Sequence, residues 1–263
     1  MRIVIPTDLE GISGVCVFEQ TRERTTSYYQ DARRLLMDDV SAAVDGCLEG
    51  GATEVVVVDN HGNKFNFVPE LMHPRAKYLT GQKRPPYGEM ESFYRSFDAA
   101  ILLGFHAMAG TPDGILRHTQ SSLGGNRYWY NGREYGEIGQ SALVLGQFGV
   151  PIVMVTGDAA TCREAEAFLG KEIVTVAVKQ GFAAEYALLL PLSQAHALIR
   201  QGAREALTRI SRCKPFVTTL PIQGRLAFPD KSTADNFRPV RARRVDDYTF
   251  EATFESACDV EYF

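Results

Sequence analysis

Two rhythms of apolar residues alternate along the first two-thirds of the chain. Short unbroken apolar runs, bounded by Gly, Pro or acidic residues, predict strands covered on both faces. They are "RIVI" from Arg2, "EVVVV" from Glu54, "AAILL" from Ala99, "PIVMV" from Pro151 and "EIVTVAV" from Glu172. "AKYLTG" from Ala76 is a weaker strand of the same kind. Between these runs the apolar positions recur at steps of three and four. Leu36, Val40, Ala43, Val44, Cys47 and Leu48 predict a helix over residues 27–49, stopped by Gly50-Gly51. Ile138, Ala142 and Leu145 predict a second helix from about Glu137 to Gly146, and "AATCREAEAFL" after Asp158 predicts a third. The strand–helix succession predicts an α/β fold, with three α/β/α layers around a mostly parallel sheet.

"RYWYNGREYG" from Arg127 interrupts the succession. Asn131-Gly132 supplies the positive φ angles of a type I′ turn, so the stretch predicts a hairpin. From about residue 181 the texture changes. Residues 192–211 carry Leu192, Ala195, Ile199, Ala203, Ala206, Leu207 and Ile210 at helical spacing. "KPFVTTL", "GRLAF" and "DYTFEATF" then alternate like antiparallel strands. The expected division is a larger α/β domain over residues 1–180 and a smaller C-terminal α+β lobe over 181–263.

Charge and composition narrow the function classes. The net charge of −4, with Lys and Arg dispersed, offers no basic stripe for nucleic acid. No apolar run reaches the length of a membrane span. The chain enters its first strand at once with no leader sequence, which predicts a cytoplasmic protein. Cys16, Cys47, Cys162, Cys213 and Cys258 are scattered and form no CxxC pair, so they predict reduced thiols, not a disulfide framework or a thiolate zinc site.

In a parallel α/β sheet the loops at the carboxyl ends of the strands share one edge, and chemistry collects there. Four predicted strands exit into a carboxylate or an imidazole: the first into Asp8 and Glu10, the second into Asp59 and His61 with Asn60 between them, the third into His106, and the fourth into Asp158. Each has a plainer reading. Asp8 and Glu10 suit a solvated loop start, Asp59 and His61 a turn before Gly62, and His106 a satisfied edge histidine. Asp158 is the natural N-cap of the helix after it, and Glu137 is an acid welcomed by a helix N-terminus. His73 and His196 read as structural. Taken together, carboxylates and imidazoles crowded on one edge would repel and desolvate one another unless cations shared them. Oxygen and imidazole donors without thiolate suit zinc, with manganese or cobalt as substitutes. Five ligands exceed the needs of one catalytic zinc and suit two ions about 3.5–4 Å apart, bridged by a carboxylate. The chain has no HExxH, no P-loop, no well-placed GxGxxG and no nucleophile elbow.

With these residues, the chain resembles the D-aminopeptidase family of zinc peptidases, the M55 peptidases. The likeness runs in order through "DLEGISG", "VVVDNHG", "LLGFHAMAGTPDG" with "RHT", "NGREYGEIG", "VPIVMVTGD" and "TVAVKQG", and is thinner beyond residue 180. The resemblance implies Asp8, Glu10, His61, His106 and Glu137 as ligands of two zinc ions. Asp8 would bridge them, with Glu10 and His61 on one side and His106 and Glu137 on the other. It implies His118 as the catalytic histidine. The implied activity is hydrolysis of the N-terminal residue, a D-amino acid by preference, from short peptides by a metal-bound hydroxide. A closed homo-oligomeric ring is implied as well. Two alternatives stand beside this: a two-metal phosphoesterase or amidohydrolase, and a non-catalytic peptide- or metal-binding relative.

Overall fold

A computed structural model describes residues 1–261 and 263. The chain opens with β1 (Arg2–Thr7), α1 (Glu19–Arg22), α2 (Ser27–Glu49), β2 (Glu54–Asp59), β3 (Lys77–Leu79), α3 (Glu91–Tyr94) and β4 (Ala99–Leu102). The hairpin of β5 (Arg127–Tyr130) and β6 (Arg133–Tyr135) leads into α4 (Glu137–Gln147), β7 (Ile152–Asp158) and α5 (Ala159–Leu169). Then come β8 (Val174–Ala183), β9 (Tyr186–Leu189) and α6 (Leu192–Thr208). The last elements are β10 (Ile222–Ala227), α7 (Lys231–Asn236), β11 (Arg243–Arg244) and β12 (Thr249–Phe254).

The main sheet has the order β3-β2-β1-β4-β7-β8-β9, and every pairing is parallel except β8 with β9. Because side chains alternate across a strand, each central strand feeds two cores. Ile3, Ile5, Val55 and Val57 join the core that holds the buried faces of α2 and α6. Val4, Val56, Val58 and Leu102 join the opposite core with α4, α5 and the second sheet. The α2–α6 contact is close because Gly46 has no side chain; a Cβ there would lie 2.2 Å from Arg200 O. No helix among the described residues is long and apolar enough to cross a membrane.

A second, antiparallel sheet has the order β11-β12-β10-β5-β6. Its hairpin turns at Asn131 and Gly132, with φ of 49° and 81°, as a type I′ turn requires. The sheets do not divide at residue 180. β8 runs through that point, β9 extends the main sheet, and α6 packs its small buried face, Ala195, Ile199 and Ala203, on α2. The C-terminal strands in turn cover their apolar face by adding β5 and β6 from the middle of the chain. The expected strand "KPFVTTL" is irregular. Phe216 leaves the alternation to pack against Tyr135 and Phe168, while Val217 is 78% exposed.

Candidate metal centre

Backbone contacts between adjacent strand exits build the site. After β1, Asp8 N donates to Leu103 O at 2.9 Å and Gly11 N to Gly104 O at 2.7 Å. The loop after β1 therefore lies flat on the loop after β4. Gly11 permits this, since a Cβ there would fall 1.9 Å from Phe105 O. Glu10 is held from behind by Lys179, whose buried Nζ donates to Glu10 O at 2.6 Å, Ile12 O at 2.9 Å and Val15 O at 2.5 Å. All three donors of the ammonium are used, so the cation is satisfied and the loop's carbonyls are tied to one point. After β2, Asp59 accepts from Asn66 N at 2.6 Å and from Asn66 Nδ2 at 2.9 Å, closing the loop that carries His61. Asn66 Nδ2 also donates to His61 O at 2.8 Å.

The remaining two residues come from the other side of the cleft. Glu137 opens α4, and its Oε1 accepts from Gln120 N at 2.7 Å, which ties it to the loop of His118. Asp158 caps α5 through Thr161 N at 2.7 Å, and its other oxygen accepts from Ile115 N at 2.7 Å. It steadies the His118 loop and stays outside the cluster. Glu164, on α5, accepts from Met108 N at 2.7 Å and fills the space beside Gly136, between the His106 loop and the start of α4.

Asp8, Glu10, His61, His118 and Glu137 line one cleft, and His106 is buried directly behind them. His61 Nε2 lies 3.3 Å from Glu10 Oε1, and His106 Nε2 lies 3.3 Å from Asp8 Oδ2 and 3.4 Å from Glu137 Oε1. His118 Nε2 is 3.7 Å from Glu137 Oε1, and its ring stacks on His106 at 4.0 Å with 16° between planes. His106 Nδ1 is 3.0 Å from Ala107 O and His118 Nδ1 is 2.7 Å from Leu116 O. A carbonyl can only accept, so each Nδ1 carries a proton, which leaves each Nε2, turned to the carboxylates, to hold a second proton or a cation. His73 and His196 lie elsewhere, 3.3 Å from Asp45 and from Asp39.

The electrostatics are those of a site that wants cations. Burial, aided by Glu10, pushes Asp8 well above the usual carboxylate range. Burial also opposes charge on Glu10 and Glu137, but the neighbouring imidazoles outweigh it: His61 holds Glu10 well below its usual value, and His106 holds Glu137 at about 2. The histidines answer in kind. Burial would lower both, yet Glu10 lifts His61 to about 9, and Glu137 with Asp8 lifts His106 well above its usual value. His118 goes the other way, lowered by burial and by the charge of His106. Glu10 Oε2 is buried with no hydrogen-bond partner among the described residues, and Asp8 Oδ2 and His106 Nε2 face one another at 3.3 Å without a hydrogen bond between them. Buried polar atoms of this kind are costly unless something pairs with them. Two ligand sets have donor atoms within 4.8 Å of one another: Asp8, Glu10 and His106, and His106, His118 and Glu137. The donors fit one or more divalent cations of the zinc type.

The family model for D-aminopeptidases, peptidase family M55, matches residues 1–262. The chain belongs to that family. A D-aminopeptidase of Bacillus subtilis (strain 168) is 32% identical over 219 residues, covering 82% of this chain and 77% of the relative. Among solved structures, the Zn-dependent D-aminopeptidase DppA from Bacillus subtilis, described as a self-compartmentalizing protease, is similar with a TM-score of 0.90 at 26% identity. That likeness covers 99% of this chain and 94% of the other. The chain is thus a peptidase of the zinc-dependent D-aminopeptidase family, a hydrolase.

Within this D-aminopeptidase fold, several residues that support the cluster drew no notice in the sequence. Lys179 is a lone cation in the otherwise apolar "TVAVKQG" strand, and Glu164 falls on the apolar face of α5 with Ala160, Ala165 and Phe168. A charge on an apolar face is the signal that could have found both. Tyr29 gives no such signal; only the fold brings its hydroxyl 3.5 Å from His61 Nδ1, while it donates to Asn66 Oδ1 at 2.5 Å.

Proposed function

We propose that the chain is a di-zinc D-aminopeptidase that releases the N-terminal residue, a D-amino acid by preference, from short peptides. The observation that carries this reading is the buried cluster of Asp8, Glu10 and His106, whose ligand atoms lie within 4.8 Å of one another and include three with no hydrogen bond among the described residues, inside a constellation completed by His61, Glu137 and His118. Asp8 would be shared by two ions, with Glu10 and His61 serving one and His106 and Glu137 the other. Zinc bound there would supply Lewis acidity to the scissile carbonyl and a nucleophile at neutral pH; manganese or cobalt are the substitutes to try.

The chain's own side chains do the rest. His118, neutral because burial and His106 disfavour its charge, takes a proton from the attacking water at Nε2 and returns it to the departing amine. Its Nδ1–H stays on Leu116 O, which keeps the ring oriented through both transfers. Asp59, Asn66 and Lys179 hold the ligands without touching substrate. The cleft encloses about 540 Å³, which is in the range of small-ligand sites and admits a short peptide, not a folded chain.

The test is hydrolysis of D-Ala-D-Ala, L-Ala-L-Ala and a phosphate monoester by chelated and zinc-reloaded protein. Zinc-dependent release of D-alanine is expected, with the D-peptide ahead of the L-peptide. Hydrolysis of the ester alone, or full peptidase activity after exhaustive chelation, sinks the reading.

The raised histidines give a pH dependence. In the metal-free protein His61, lifted to about 9, and His106, also lifted, are protonated at pH 7. A cation must displace those protons, so zinc affinity rises with pH through neutrality and falls in acid. Zinc titration calorimetry at pH 7 in buffers of different ionisation enthalpy is expected to show about two protons released per chain. Heats that do not change with the buffer contradict this.

The same reading includes a closed homo-oligomer in the cytoplasm, with the five cysteines as free thiols. DppA is described as self-compartmentalizing, and here Phe182, Tyr186 and Leu188 stand exposed on the edge hairpin of β8 and β9. An apolar sheet edge of this kind is where copies would meet. A light-scattering mass near the 29.1 kDa of one chain would exclude it.

A further inference from the structure

We propose that Arg22 anchors the terminal carboxylate of the substrate, so that the enzyme prefers free-acid di- and tripeptides to amidated ones. The inference rests on the aminopeptidase reading above, with His118 facing the departing residue. Arg22 is the last residue of α1 and lines the same cleft as His118 and Glu137. Its guanidinium carbon sits 3.5 Å from the centroid of the Phe18 ring, and Phe18 lies 6.4 Å from the His118 ring. Arg22 Nε donates to Ser122 Oγ at 2.9 Å, and Nη2 donates to Ser122 O.

Stacked on one face and tied along one edge, the planar fork is oriented before substrate arrives, which reduces the entropy lost on binding. Both acceptors are neutral oxygens, so they leave the positive charge uncancelled. Neither bond uses Nη1, whose two N–H groups remain for a ligand. An oriented guanidinium with free donors in a cleft wall suits a planar carboxylate.

Direction follows from the chemistry. In a dipeptide the departing residue carries the terminal carboxylate, and its amine must meet the proton donor. With His118 as donor, the carboxylate falls on the wall where Arg22 stands. Two other cations, Arg24 and Lys64, line the His61 side of the cleft: Lys64 N bonds His61 O at 3.0 Å, and Arg24 neighbours Tyr29. The acids facing the cleft outside the ligand set are Glu23 and Glu261, and Glu261 is paired with Arg84 at 3.0 Å.

The test compares zinc-loaded full-length protein on D-Ala-D-Ala and on its C-terminal amide. The amide releases the less basic amine, so chemistry alone favours it, and a preference for the acid reports binding. The acid is expected to have a kcat/KM about tenfold or more above the amide, as a charge-assisted contact gives, and to lose that lead as salt is raised. Arg22→Met is expected to bring the two substrates within about threefold, chiefly by raising KM for the acid. Arg22→Lys is expected to keep part of the preference, and Lys64→Met all of it. Parity in the wild type, a preference that survives Arg22→Met, or one lost in Lys64→Met instead overturns the assignment. Cleavage of neither peptide overturns the aminopeptidase reading and this inference with it.

Discussion

Asp8→Asn is expected to leave the protein folded but without bound zinc, and to lower kcat/KM by at least about three orders of magnitude. On the di-zinc reading proposed above, Asp8 would be shared between the two ligand pairs. Its Oδ1 accepts from Leu9 N at 3.0 Å, while Oδ2 is buried and faces His106 Nε2 at 3.3 Å without a hydrogen bond. An amide there offers the cations either an N–H2 group or a neutral oxygen, and neither replaces a shared carboxylate. In the metal-free protein the same change is benign. Burial and Glu10 already push Asp8 well above the usual carboxylate range, so removing its charge relieves a repulsion. The two readouts therefore separate. The melting temperature without metal is kept or raised, and the upward shift that zinc gives the wild type disappears, because a cation stabilises through its affinity for the folded state. Metal analysis after dialysis counts the ions directly. A variant that still holds two zinc ions per chain and turns over peptide removes Asp8 from the shared position.

How far such a site can be read from sequence depends on how local its determinants are. Asp8, Glu10, His61 and His106 were legible because each directly follows an apolar strand, and parallel strands bring their carboxyl ends to one edge. Glu137 was not, since an acid at a helix start has an ordinary electrostatic reason to be there. What turns it into the cleft is the hairpin before α4, and that hairpin is anchored by β5 pairing Tyr130 with Gly224, far along the chain. The same pairing explains why the expected boundary at residue 180 does not separate the sheets. Alternation reveals that a strand has one covered face, but not which distant strand lies beside it. "KPFVTTL" failed for a related reason: its alternation was real, but Phe216 is drawn out of line by the aromatic pair Tyr135 and Phe168. His118 sits in a loop held by contacts to residues from other elements, Asp158 and Glu137 among them, and no periodicity encodes those. Only the family resemblance pointed to it.

His118→Ala is expected to lower kcat by about 10²–10⁴ while zinc content and KM stay close to those of the wild type. His118 shares a possible ligand set with His106 and Glu137, but it lines the cleft, which the deeper His106 does not. His118 Nε2 stands 3.7 Å from Glu137 Oε1, farther than His106 Nε2 at 3.4 Å, and it stacks over His106 on the side open to the cleft. Its charge is disfavoured by burial and by His106, so its pKa lies below the ordinary histidine value and the ring is neutral at pH 7. The neutral form is the base. Wild-type turnover should then fall as pH drops through that lowered pKa, and the fall should be absent in the variant when zinc is held saturating. The acid loss that remains in the variant belongs to His61 and His106, which lose metal to protons, and excess zinc moves that limb to lower pH. A residue that merely filled space would lower stability without altering the shape of the pH profile. If His118→Ala keeps full turnover with the wild-type acid limb, the proton is carried by another group.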